Sequence, residues 1–234
     1  MPDYPVLLIT GASTGIGAAT ARRASEAGRR VVLAARSEDK LRALADELGG
    51  DERAIAVRCD VTEWGDQEAL VSAAPDAYGR IDAVFANAGF GAKRGFLEET
   101  PEHWKAMVDT NVTGVAYTIR AALPHLTERG AGHFVLTSSV AGRRALPGSL
   151  YAATKHAVGA IGEGLRQELR AGEATRAIRV TLIEPGMVDT PFFDDRPESA
   201  LESDDIARAV MYALDQPGHV DVNEILVRPT AQPT

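Results

Sequence analysis

Tyr151 and Lys155 stand four residues apart in a stretch, 151–169, whose small residues and length predict a helix, so a phenol and an ammonium project from one face. A phenol titrates near pH 10, and lowering that by about three units takes roughly 4 kcal/mol. One ammonium about 4 Å away supplies roughly that much at an effective dielectric near 20. The pair can therefore act as a proton donor tuned by a cation. The chain uses only four lysines against twenty-one arginines, so a lysine at this place runs against its own habit. The plainer assignment, a core aromatic beside a solvated lysine, asks nothing of either residue.

A second candidate lies near the start, where Thr10 is followed by Gly11-Ala12-Ser13-Thr14-Gly15-Ile16-Gly17 and then by helical spacing. Glycines let a backbone approach a ligand closely, and a helix N-terminus offers free N–H groups to a pyrophosphate. This predicts a dinucleotide site. The same letters also satisfy G-x-S-x-G, the elbow of serine hydrolases, with Ser13 as nucleophile. Only one strand precedes Ser13, which leaves no upstream loop for the second oxyanion donor and counts against a hydrolase.

The elements that must carry these residues follow from periodicity. Aliphatic runs at 6–10, 31–35, 54–59, 83–86, 134–138, 179–184 and 225–227 alternate with long stretches of helical spacing. Strands that are apolar nearly throughout, each followed by a helix, predict a doubly wound α/β domain: a parallel sheet of about seven strands covered on both faces. No linker or repeat divides the chain, so 1–234 reads as one domain. Ser37-Glu38-Asp39 has the form of an N-cap with an acidic first turn, and Gly49-Gly50 ends that helix. Residues 191–203, with Phe192, Phe193 and several acids, are the longest irregular stretch and the candidate flap.

Four motifs in order, Thr10-Gly11-x-x-x-Gly15-x-Gly17, Asn87-Ala88-Gly89, Tyr151-x-x-x-Lys155 and Pro185-Gly186, closely resemble the short-chain dehydrogenase/reductase family over nearly the whole chain. The segment 221–229 looks like the last strand of an NADP-using subgroup of unassigned specificity. The resemblance implies hydride transfer between a nicotinamide and a carbonyl carbon, with Tyr151 exchanging the oxygen's proton. Lys155 would lower the phenol pKa and bind ribose. A serine would bond the substrate oxygen: the S-x-A-G pattern selects Ser139, preferred here, while the family's usual offset to Tyr151 selects Ser138. Asn111, on a predicted apolar helical stripe with Val108, Val112, Val115 and Ile119, needs partners as a buried amide; the resemblance gives it a proton relay from Lys155. By the same likeness Asn87, Ala88 and Gly89 line the cofactor, Asp60 and Val61 border its adenine, and Pro185, Gly186, Val188 and Thr190 grip the carboxamide. Asp60 could equally form a capping box with Glu63.

At the end of the second strand an acid receives the ribose of NAD, and a basic residue meets the 2′-phosphate of NADP. Here the place reads Ala34-Ala35-Arg36, which favours NADP over NAD unless Arg36 merely pairs with Glu38 or Asp39.

Composition narrows the partners. The formal charge of −8 with no long basic block argues against nucleic acid. The five scattered histidines give no metal spacing. A single cysteine, Cys59, and no apolar run of membrane length predict a reduced, cytoplasmic protein off the membrane. What remains is a small carbonyl or alcohol substrate, with an NADP-sensing regulator as the non-enzymatic alternative. Lys93-Arg94 and Arg143-Arg144, after two strand ends, raise the expectation of an anionic substrate. Gly114, Ala116, Gly159, Ala160, Gly162 and Gly164 permit close helix packing, and the resemblance implies a homodimer or homotetramer built there.

Overall fold

A computed structural model describes residues 4–93, 95–145, 150–192 and 199–232. Seven parallel strands form one sheet: β1 (Val6–Thr10), β2 (Arg30–Ala35), β3 (Ala54–Arg58), β4 (Ala83–Ala86), β5 (Gly132–Thr137), β6 (Ile178–Pro185) and, after two short strands, β9 (Glu224–Val227). Their order is 3-2-1-4-5-6-9. The helices are α1 (Gly15–Glu26), α2 (Glu38–Glu47), α3 (Trp64–Tyr78), α4 (Pro101–Val108), α5 (Gly114–Arg129), α6 (Leu150–Ala171) and α7 (Ser203–Leu214).

The middle of the sheet is buried on both faces, most completely at β1 and β4, which are apolar nearly throughout. All five residues of β1 are buried. Val6 and Leu8 join one core cluster with residues of α3, α5 and α6, while Leu7 and Ile9 join another with residues of α1, α2 and α7. Period-two alternation thus feeds two cores from one strand. The chain reverses its order of travel between β1 and β4, which opens a crevice beyond their carboxyl ends. Asn87, just past β4, ties that crevice together. Thr10 Oγ1 accepts from Asn87 N (3.0 Å) and Ala88 N (3.1 Å), and Thr137 Oγ1 donates to Asn87 Oδ1 (3.2 Å).

Four local expectations are corrected. Asp60 makes no capping box: α3 begins only at Trp64, and Asp60 Oδ1 instead accepts from Thr62 N (3.1 Å) and Thr62 Oγ1 (2.8 Å). Asn111 is not on a regular α-helix but in a π turn, Asp109–Thr113, between α4 and α5. The irregular stretch expected to run to 203 ends sooner, because β8 (Leu201–Glu202) pairs in parallel with β7 (Val188–Asp189) before α7 starts. Two of the small residues are needed inside the chain rather than outside. A Cβ at Gly114 would lie 2.8 Å from Val61 Cγ2, and one at Gly162 would lie 2.8 Å from Leu182 Cδ2. Ala116, Ala160 and Gly164 are exposed. No helix among the described residues is long and apolar enough to cross a membrane.

Candidate active site

A cavity of about 1010 Å³ lies at the carboxyl ends of the strands. Its wall brings together Gly11, Ser13, Thr14, Gly15, Ile16 and Arg36 at one end with Ser139, Tyr151, Lys155, Pro185 and Gly186 at the other. Asp60, Val61, Asn87, Ala88, Gly89, Val188 and Thr190 also line it. Gly17 and Asn111 lie behind the wall, acting through packing and hydrogen bonds.

The turn before α1 is built to admit a ligand's phosphates. Gly11 and Gly15 have φ of +66° and +54°, values that a Cβ strains. At Gly17 a Cβ would run into the carbonyl oxygen of Gly11. Thr14, at the N-cap, makes no side-chain cap, so the first N–H groups of α1 have no side-chain cap at the cavity. An uncapped helix end over a glycine turn, facing a cavity of this volume, fits a dinucleotide. Ser13 sits in that turn, and no histidine of the described residues lines the cavity.

Arg36 is exposed on the cavity wall, and among the described residues it forms no ion pair. Glu38, one of its two candidate partners, is taken by Arg42 at 2.6 Å. Asp60 stands in the field of Arg36; burial tends to raise its carboxyl, but the Thr62 hydrogen bonds and the Arg36 and Arg58 charges hold it below the usual range.

At the other end the serines part ways. Ser138 Oγ donates to the carbonyl of Lys155 at 3.1 Å, a bond within the scaffold. Ser139 Oγ accepts from Ala141 N (3.1 Å), donates to Pro185 O (3.3 Å), and lies near enough to the Tyr151 phenol to act on its pKa. Lys155, buried, donates from Nζ to Thr137 O at 2.8 Å and stands 5.7 Å from the centroid of the Tyr151 ring. Lys155 is not among the groups that shift the phenol here. Burial pushes Tyr151 up to about 12, and Ser139 is the group that pulls it back. The ammonium is itself desolvated, which brings Lys155 down to about 8.

Asn111 supports this end from behind. Its Oδ1 accepts from Phe90 N (3.0 Å), and its Nδ2 donates to Phe90 O (2.9 Å) and to Thr154 Oγ1 (3.2 Å). Thr154 Oγ1 in turn donates to Tyr151 O at 2.7 Å. The amide therefore joins the segment after β4 to the first turn of α6. Insertion of a π turn is what re-aims it, since a regular helix would carry residue 111 to another angle.

The basic mouth is partly undone. Arg143 is claimed by Glu184, at 2.6 Å, and by Glu224. It braces the turn after Ser139 against β6 and β9. Arg94 and Phe193 lie outside the described residues. Spacing alone could not reveal Met187, Leu226, Arg228 and Gln232 in the wall. The first three follow from the rule that ligands gather at carboxyl strand ends. Gln232 arrives by a tail folding back, with Oε1 accepting from Met187 N at 2.9 Å.

Residues 5–200 match the family described as short chain dehydrogenase. An uncharacterized oxidoreductase of Staphylococcus haemolyticus is 43% identical over 228 residues, 96% of each chain. Among solved structures, an alcohol dehydrogenase of the archaeon Thermococcus sibiricus complexed with 5-hydroxy-NADP superposes with a TM-score of 0.89 at 32% identity, over 99% of both chains. A short chain dehydrogenase/reductase of Burkholderia phymatum in complex with NAD gives 0.85 at 31% identity, over 96% of this chain and 89% of that one. Likeness of this extent, on a cavity with the geometry above, places the chain in the short-chain dehydrogenase family of oxidoreductases.

Proposed function

We propose that the protein is an NADP(H)-dependent oxidoreductase interconverting a carbonyl compound and its primary or secondary alcohol. One observation carries this reading: Tyr151 and Ser139, with the Lys155 ammonium above the phenol ring, line the same cavity as the glycine turn. The nicotinamide, when bound, supplies or accepts the hydride. Tyr151 gives its phenolic proton to the substrate oxygen as that oxygen gains charge. Ser139 Oγ, on the same wall as the phenol, orients the oxygen from the other side. Lys155 offsets the negative charge left on Tyr151, and Asn111 holds the segment bearing Phe90 and α6 in register. Arg36 receives the 2′-phosphate, Asp60 and Val61 border the adenine, and Pro185, Gly186, Val188 and Thr190 hold the carboxamide. The working assembly is a homodimer or homotetramer in the cytoplasm, where Cys59, buried and pushed up to about 12, stays an inert thiol.

The test joins two measurements. NADPH fluorescence on titration with protein reports binding, and NADPH oxidation with a panel of aldehydes, ketones and diketones reports turnover. Binding with no turnover across the panel would leave only a sensor.

Charge-assisted hydrogen bonds contribute about 1.5–3 kcal/mol, so Arg36→Ala raises KM for NADPH roughly 10- to 100-fold and leaves that for NADH unchanged. An equal rise for both cofactors removes Arg36 from phosphate recognition.

The pH profile follows from Tyr151 and Lys155 together. Tyr151, at about 12, keeps its proton throughout the working range, so Lys155, at about 8, is the group that titrates. Raising pH through about 8 removes the ammonium, and kcat/KM for carbonyl reduction falls about tenfold per unit above it. A profile flat to pH 10 would show that the cation is not needed.

A further inference from the structure

Phe192, at the near root of the flap, lies edge-on against Tyr151, with ring centroids 5.4 Å apart and planes at 65°. Its other side meets Gly91. A Cβ at residue 91 would stand 2.5 Å from Phe192 Cζ and 2.8 Å from Cε1, so only a hydrogen there leaves room for the ring. We propose that Phe192, seated in the recess left by Gly91, limits the size of the substituent that the carbonyl carbon can carry. This rests on Tyr151 being the proton donor of the reaction.

The two sides of the recess differ in stiffness. Behind Gly91 the wall is fixed: Asn111 makes both hydrogen bonds to the Phe90 backbone, and Gly91 O lies 2.9 Å from His103 Nε2. The Phe90 and His103 rings pack edge-on at 5.2 Å. The Phe192 N–H donates to Thr190 Oγ1 at 3.3 Å, and the residue is 40% exposed. A ring with two side-chain torsions therefore faces a wall that does not yield. Any group attached beside the reacting carbon shares space with that ring. Small unbranched substituents fit beneath it; branched or aryl ones must displace it into solvent and forfeit its contacts with Tyr151 and the Gly91 recess.

The recess also sets where the ring can go. Because the ring lies between Gly91 and Tyr151, a methyl group added at residue 91 drives it toward the reacting oxygen. Only the far end of one side chain must move, so Gly91→Ala folds.

The experiment compares kcat/KM with NADPH for propanal against 2-phenylpropanal and for butan-2-one against acetophenone. In the wild type the smaller member of each pair leads. Phe192→Ala raises the bulky-to-small ratio about tenfold or more, the scale of discrimination that apolar pocket contacts supply. Gly91→Ala lowers the ratio, and adding it to Phe192→Ala changes nothing further, because the ring through which it acts is gone. Equal effects of Phe192→Ala on both members of a pair, or an effect of Gly91→Ala that persists without the ring, overturns the size limit while leaving the reductase reading intact. Turnover of none of the four compounds by the wild type, with NADPH bound, overturns the reading of Tyr151 and the size limit with it.

Discussion

Tyr151→Phe lowers kcat by about 10²–10⁴-fold, the contribution usual for a positioned general acid, and leaves NADPH affinity unchanged. The ring survives the substitution, so its edge contact with Phe192 and the packing of α6 remain. What is lost is the phenolic hydroxyl on the cavity wall. Steady-state rates and NADPH fluorescence on the same preparation separate the two effects. A variant retaining a tenth or more of the wild-type kcat would move the proton to another donor, and a variant that no longer binds NADPH would make Tyr151 a cofactor residue first.

The two adjacent serines give the second large effect. Ser139→Ala removes the hydroxyl that shares the cavity wall with Tyr151 and lowers kcat/KM by roughly 10²–10³-fold, as loss of an oxyanion donor does. Ser138→Ala removes a buried donor to the carbonyl of Lys155. That costs about 1 kcal/mol of stability, or roughly 2–4 °C in Tm for a chain of this size, with kcat nearly unchanged. Melting curves and rates measured on both variants assign the roles. The reverse pattern, in which Ser138→Ala abolishes turnover, would show that the turn after β5 rearranges when substrate binds.

The sheet was legible because its signal is local. Runs such as Val6-Leu7-Leu8-Ile9 are apolar at every position, and only a strand covered on both faces uses such a run economically. Strand ends drifted by one or two residues, as at β5, which stops at Thr137 rather than Ser138. The chemistry of Tyr151 and Lys155 was legible in residue type and spacing, yet the balance of their electrostatics was not. Whether burial or a neighbouring cation dominates a phenol depends on the depth of the cavity, which sequence spacing does not contain. For the same reason Arg143 read as a free cation until Glu184 and Glu224, forty and eighty residues away along the chain, were seen to hold it. Asn111 fell between these cases. Its burial was predictable from its apolar neighbours, whereas the π turn that aims it has no clear sequence mark.

Leu226, Arg228 and Gln232 line the cavity beyond residues 5–200, the stretch that matches the family description. The proton-transfer residues and the glycine turn all precede that limit. Duplicate copies of such a gene can therefore drift apart in which compounds they accept by changes confined to the final ten residues or so. A lineage could acquire new metabolic roles in this way while its hydride chemistry is inherited intact.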